Sequence, residues 1–163
     1  MNIYNLDVIQ KFVQQVYTSP TTKQPVGISQ LQLIPYFYTL TFTGLAQNGT
    51  QTQQLSINAD ADFVLTGFGY HVSIGAVQTA TNMTIPFIRM LITDSATNQP
   101  FMNGPVDLSV ISRSPLGDEV AMPYPRLVAG RSSLTVQVSN YAPAAETYAF
   151  DLLLHGVAVK IYG

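Results

Sequence analysis

Apolar residues near the N terminus recur at the spacing of an α-helix. Five residues form the apolar stripe: Leu6, Ile9, Phe12, Val13 and Val16. They share one face at about 3.6 residues per turn, and polar residues occupy the other face. The segment TSPTTKQP ends the helix, because Pro20 and Pro25 cannot donate a helical N–H. The pattern predicts one helix within residues 5–17, in an N-terminal arm of residues 1–25 that includes a linker.

The apolar stripe of this helix has two possible partners. It can pack on the core of its own domain, or it can dock on a neighbouring subunit as an assembly arm. The sequence leaves both arrangements open. In the second arrangement the five stripe residues are the candidate assembly interface.

After Pro25 the apolar period changes to two. In YFYTLTFTG, residues 36–44, aromatic and aliphatic side chains alternate with threonines, as in a half-buried strand. An Asn-Gly pair follows at Asn48 and Gly49, and QQLSI resumes a strand pattern. Asn-Gly favours two-residue loops between paired strands, so the sequence predicts a β-hairpin here.

Two strand patterns change parity at glycine. Phe63 and Leu65 share one face, whereas the later apolar residues of the same run, from Phe68 onward, fall on the other, with Gly67 and Gly69 nearby. A β-bulge or a strand bend explains such a change. The C-terminal run makes a similar change across Gly156, which predicts a bend in a long final strand.

The remaining strand patterns complete an all-β domain. They cover residues 85–93, 105–112, 132–139 and 147–162. Turn-rich segments separate them, among them RSPLGDEVAMPYPRLVAG, residues 113–130. About eight strands with such connections predict an antiparallel, jelly-roll-like β-sandwich over residues 26–163, preceded by the N-terminal helix.

The composition points towards association. Charged residues make up only 10% of the chain, against roughly 25% in a typical soluble domain. A surface so poor in charge offers little electrostatic protection against association, which suits a protein covered by neighbours. The net charge is −2 and the seven basic residues are scattered, so no nucleic-acid partner is expected. The N terminus lacks a signal-peptide pattern and no run is long enough to cross a bilayer, so no membrane partner is expected either.

The most reactive-looking stretch is SINADADFVLTGFGYHVSIG, residues 56–75. Asn58, Asp60 and Asp62 alternate as metal ligands can, but the turn glycine and the distal Glu of a calcium loop are missing. The sequence therefore predicts that Asp60 caps a turn and that Asp62 points outward at a strand entry.

The sequence gives equally little support for a catalytic site. His71 and His155 are the two histidines and both lie in strand patterns; the chain has no cysteine and no G-x-S-x-G motif. We expect no catalytic, cofactor-binding or metal site, and no cofactor.

Aromatic residues offer one alternative function. Five of them could stack on sugar rings: Tyr36, Phe37, Tyr38, Tyr124 and Tyr141. The alternative to a structural role is therefore a carbohydrate-binding or host-recognition module, although alternating aromatic residues more often belong to a core.

The order of elements in the second half resembles that of virion structural proteins of tailed bacteriophages. The resemblance is carried by INADADFVLTGFGY, RMLITDSATNQPFMNGPVDL, PYPRLVAGRSSLTVQVSN and FDLLLHGVAVK, and it covers about residues 55–160. It implies a small β-sandwich subunit of a phage capsid or tail, non-enzymatic and present in many copies. It further implies homo-oligomers, contacts with other virion proteins, and location in the virion after synthesis in the host cytoplasm. The N-terminal helix lies outside the resemblance.

Overall fold

The computed structural model describes residues 6–17, 27, 30–79, 81, 84–112 and 120–161. Within these residues the helices are α1 (Leu6–Val16) and α2 (Leu108–Ile111). The strands are β1 (Leu31–Leu45), β2 (Thr50–Ser56), β3 (Asp62–Ile74), β4 (Ile88–Asp94), β5 (Gln99–Pro100), β6 (Val106–Asp107), β7 (Val120–Val128), β8 (Ser133–Asn140) and β9 (Tyr148–Ile161).

The strands form two antiparallel sheets. One has the order β1-β9-β3-β7; the other has the order β2-β8-β4-β5, with β6 also paired to β4. Most consecutive strands lie in opposite sheets, so nearly all ladders join segments distant in sequence. This strand order is that of a double-sheet jelly roll. The predicted antiparallel jelly-roll-like sandwich with an N-terminal helix is confirmed.

The core lies between the two sheets. Phe42 and Phe150 stack there with ring centroids 4.7 Å apart, surrounded by buried residues of both sheets, among them Ile88, Met90 and Val136. A second, smaller apolar cluster lies on the outer face of the β1-β9-β3-β7 sheet, beneath α1. The four-stranded sheet is therefore buried on both faces at one end.

The predicted β-hairpin is wrong, although its turn is present. The Gly49 N–H donates to the Ala46 carbonyl at 2.8 Å, and Asn48 has φ of 57°. However, β1 pairs with β9 and β2 pairs with β8. The turn therefore carries the chain from one sheet to the other.

The apolar pattern changes parity in both β3 and β9, but only the change in β3 is a β-bulge. The register of β3 shifts between Leu65 and Gly67, as predicted. By contrast, β9 pairs with β1 without a shift from Ile161 to Phe150, passing through Gly156. The predicted bend at Gly156 is therefore not a register break. The apolar parity of β9 changes because α1 covers the outer face of its second half.

Two further predictions from the strand patterns are wrong. Residues 105–112 form only the short β6 before turning into α2. Conversely, Val120–Val128 forms β7, inside a segment predicted as a turn-rich loop. Pro123 and Pro125 are tolerated because β7 is an edge strand, where a missing N–H breaks no ladder bond.

Candidate functional site

Helix α1 docks on the outer face of the β1-β9-β3-β7 sheet of the same chain. Ile9 and Val13 are buried there against Val64 of β3 and against Val157 and Val159 of β9. Among the other residues of the predicted stripe, Phe12 is partly buried in the same cluster and Val16 is exposed; the side chain of Leu6 lies outside the described part. The structure thus shows packing within the chain for the centre of the stripe.

A hydrogen bond fixes the C-terminal end of α1. The Tyr17 hydroxyl donates to Asp62 Oδ2, and the Gly130 N–H donates to the other oxygen of the same carboxylate at 2.6 Å. Burial, reinforced by the hydrogen bond to Asp62, raises the pKa of Tyr17 well above its usual range. Asp62 therefore joins the helix, the start of β3 and the β7–β8 turn, and does not simply point outward as predicted.

Asp60 lies in the turn before β3, as predicted, and pairs with a lysine of β9. The Lys160 Nζ lies 2.5 Å from Asp60 Oδ2. This hydrogen bond and the lysine charge lower the pKa of Asp60. Because Asp60 is exposed, the pair is screened by water and contributes little to the free energy of folding.

An open cleft of about 330 Å³ surrounds these two carboxylates. Its walls are the turn before β3, the β7–β8 turn and the end of β9: Ala59, Asp60, Ala61, Asp62, Gly130, Arg131, Val159 and Ile161. Asp60 pairs with Lys160, and Asp62 accepts hydrogen bonds from the Tyr17 hydroxyl and the Gly130 N–H. Within the described residues no three His, Cys, Asp or Glu side chains gather as metal ligands would.

The two histidines lie on the outer face of the same sheet but in different surroundings. His155 is buried, and its ring meets Phe37 edge-on with centroids 5.0 Å apart. A Cβ added at Gly69 would lie 2.8 Å from His155 Nε2, so Gly69 makes room for this ring. These contacts give His155 a packing role.

His71 belongs to a polar row across three strands. The register places His71 opposite Asp151, and Asp151 opposite Thr41. Thr41 Oγ1 donates to Asp151 Oδ1 at 2.5 Å. A hydrolase triad needs the imidazole between the hydroxyl and the acid. Here the acid stands in the middle, so the row is not arranged to activate the hydroxyl.

The five aromatic residues considered for sugar stacking do not form a common platform. Tyr36 and Tyr38 have their hydroxyls engaged by the Asn58 side chain and backbone, respectively. The Tyr141 ring is covered by the guanidinium of Arg89, 4.4 Å from its centroid. Phe37 and Tyr124 are exposed, but they lie on β1 and β7, the two opposite edges of one sheet.

Two contacts of this site were missed by sequence reasoning. Tyr17 lies four residues after Val13 and so continues the helical stripe, a signal that was present in the sequence. Lys160 carried no such signal, because it meets Asp60 only through the pairing of β3 with β9.

Comparisons with known proteins give distant likeness to solved structures alone. No protein-family model matches the chain, and no curated protein matches it. Among solved structures it is similar to the VP2 subviral particle of infectious bursal disease virus, with 12% identity and a TM-score of 0.36. The match covers 91% of this chain and 37% of that one. The strand order, and not this likeness, establishes the fold. Neither helix in the described residues has the length and hydropathy needed to span a bilayer.

Proposed function

We propose that this protein is a non-enzymatic structural subunit of a virion, present in many copies. The finer assignment, to the capsid or tail of a tailed bacteriophage, follows the resemblance described from the sequence. The observation that carries the proposal is the jelly-roll strand order, an architecture that viral capsid domains share with lectins and cupins. Function cannot be taken from the fold alone, so the choice among these classes depends on the surfaces and side chains.

The charged side chains favour the structural role. Asp60, Asp62 and Asp151 each make contacts that hold strands or turns together. Arg89 pairs with Asp107 at 3.0 Å, and Arg126 donates to the Phe101 carbonyl at 2.9 Å. These six charged side chains thus hold the scaffold together, and the chain as a whole is poor in charge.

Helix α1 supplies a means of joining copies. Thirteen residues, 18–30, separate Tyr17 from the start of β1. Tyr17 contacts Asp62 on β3, and Leu31 of β1 pairs with β9, the neighbour of β3. The two attachment points are thus about two strand spacings apart, roughly 10 Å. A 13-residue segment can span more than about 40 Å when extended, so the helix can make the same contacts on a neighbouring copy.

The first test of this proposal is the oligomeric state of the full-length protein. We expect size-exclusion chromatography with light scattering to show closed oligomers or larger particles that electron microscopy can image. A protein that stays monomeric at all accessible concentrations contradicts the proposal.

The role of the helix is tested by deleting residues 1–18. The deleted chain should keep its β-sheet circular dichroism and a cooperative unfolding transition, yet assemble poorly. A matched control is Gln15→Ala, at an exposed position on the polar side of α1. Assembly of the deleted chain equal to that of the full-length protein would contradict a role for α1 between copies.

A further inference from the structure

The chain carries two Asn-Gly pairs, and the structure places them in different surroundings. Asn48-Gly49 lies between β1 and β2, and Asn103-Gly104 lies between β5 and β6. Both asparagines are exposed to solvent. An asparagine before glycine loses its side-chain amide readily, because glycine has no side chain to keep its nitrogen away from the asparagine Cγ. In a folded protein the reaction depends on how freely the two residues can move.

Hydrogen bonds hold the first pair. The Gly49 N–H donates to the Ala46 carbonyl at 2.8 Å, and the Asn140 N–H donates to the Gly49 carbonyl at 3.0 Å. The Asn48 N–H donates to the Asn140 carbonyl at 2.9 Å. Asn48 has φ of 57°, in the left-handed region that tight turns use. The Gly49 nitrogen can therefore attack Asn48 only after this turn opens by local unfolding.

The second pair has no such contacts. Within the described part of the chain, neither the Gly104 N–H nor the Asn103 side chain makes a hydrogen bond. A Cβ added at Gly104 would meet no atom within 4 Å. The structure holds the preceding Phe101, whose N–H donates to the Ile92 carbonyl at 2.8 Å. Asn103 can thus bring its Cγ onto the Gly104 nitrogen without breaking a hydrogen bond.

We propose that Asn103 is a site of spontaneous deamidation in the folded protein and that Asn48 is protected from it. The Gly104 nitrogen gives its proton to water or hydroxide and attacks Asn103 Cγ. A C–N bond forms, the Cγ–Nδ2 bond breaks, and ammonia leaves with a proton taken from water. Water then opens the cyclic imide at either carbonyl, which yields aspartate or isoaspartate at residue 103. Neither step is an oxidation or a reduction, and water is the only reactant consumed.

The modification adds a negative charge to a chain that has few charges. The formal net charge is −2, and Asn103 is exposed, so the new carboxylate lies in solvent. In a particle built from many copies, conversion would add one charge per copy and so increase the repulsion between copies. This consequence rests on the proposed function, whereas the modification itself does not.

Peptide mapping by mass spectrometry tests the proposal on the full-length protein. The folded protein is kept in mildly alkaline buffer, which promotes loss of the glycine proton, and is digested at intervals. Fragment masses locate each amide that has become a carboxylate, so Asn48 is the internal control for Asn103. The same protein unfolded in urea gives the rate of each site without structure. Gly104→Ala fits into open space and should slow the reaction at Asn103, because its side chain hinders the attacking nitrogen.

We expect Asn103 to react in the folded protein at close to its rate in urea. Asn48 should react at least about fivefold more slowly than in urea, because its turn must first give up hydrogen bonds. If folding slows Asn103 as much as Asn48, the inference is wrong. A Gly104→Ala variant that deamidates as fast as the unchanged protein would exclude the Gly104 nitrogen as the attacking group. Neither result bears on the proposed function, which is tested by assembly.

Discussion

At the scale of single residues, the close approach of neighbouring strands explains why residue 156 is glycine. The sequence pattern predicted a bend at this position. Gly156 lies within β9, next to β3. A Cβ added at this position would collide with the Val64 carbonyl oxygen and would lie 2.5 Å from the Phe63 ring. Glycine is therefore required for packing between neighbouring strands, and not for a change of direction.

This role predicts that Gly156→Ala destabilises the protein. Overpacking of a filled site costs about 1–3 kcal/mol of the free energy of unfolding, because both the ring and the backbone must shift. Gly104→Ala is the matched control, since no atom lies within 4 Å of a Cβ at Gly104. Urea denaturation of both variants measures the difference. A Gly156→Ala variant as stable as Gly104→Ala would refute the close-approach explanation.

Residue-level predictions from the sequence succeeded where a short-range rule applied. Asp60 lies in a turn, as its position before a strand predicted. The partners of both carboxylates lie far along the chain, in Lys160 for Asp60 and in Tyr17 and Gly130 for Asp62. Only the pairing of β3 with β9 and β7, and the docking of α1, bring these groups together, so no local pattern could indicate them.

At the scale of elements, glutamine side-chain amides bind backbone carbonyls on the unpaired edge of β1. The edge is the side of β1 that faces away from β9. Gln51 Nε2 donates to the Thr43 carbonyl at 2.9 Å, and Gln53 Nε2 donates to the Thr41 carbonyl at 2.5 Å. Pro35 lies six residues before Thr41, so its backbone faces the same edge and offers no N–H there. These features discourage pairing of β1 with another strand, as edge strands require.

The glutamine contacts predict an asymmetry between adjacent residues of β2. Gln53→Ala removes the hydrogen bond to β1 and should cost about 0.5–1.5 kcal/mol of the free energy of unfolding. Gln54→Ala removes a solvent-exposed side chain on the other face and should cost less than about 0.5 kcal/mol. Thermal and urea unfolding test the pair. Equal costs would show that the Gln53 amide does not stabilise the edge.

The position of a strand in its sheet explains which strand predictions were correct and which were wrong. The period-two patterns of β1, β8 and β9 were recognised because each has one face in the core. The sequence pattern did not predict β7, because prolines in a short segment usually indicate a loop. They are compatible with β7 only because it is an edge strand, and edge or central position is a property of the assembled sheet.

At the scale of the whole molecule, tyrosines with raised pKa values make the free energy of unfolding decrease at alkaline pH. Burial, with a hydrogen bond to Glu146, raises the pKa of Tyr148 from 10.0 to about 12. The pKa of Tyr17 is raised as well, chiefly by burial. A folded-state pKa above the unfolded value means that the unfolded chain loses its protons first. The contribution of these groups is therefore fully present below pH 10 and decreases as the pH rises from there.

We predict that the free energy of unfolding falls between about pH 10 and about pH 12. Tyr148→Phe removes one ionising group, so its decrease over this range should be smaller than in the unchanged protein. Tyr124→Phe, at an 82% exposed ring, is the matched control. Urea denaturation at several pH values measures the slopes. Equal slopes for the Tyr148→Phe and Tyr124→Phe variants would contradict the assignment of this decrease to Tyr148.

The sequence by itself determined the class of the molecule. The helical stripe, the alternating strands, the bulge near Gly67 and the low charge were all readable, because periodicity and composition record which faces are buried. Tertiary structure decided the partners: β1 with β9 instead of β2, Asp62 with Tyr17, and α1 on its own sheet. It also decided which apolar residues stay exposed, as at Val77 and Ile85. Burial depends on what packs opposite a residue, and in a jelly roll that neighbour comes from a distant part of the chain.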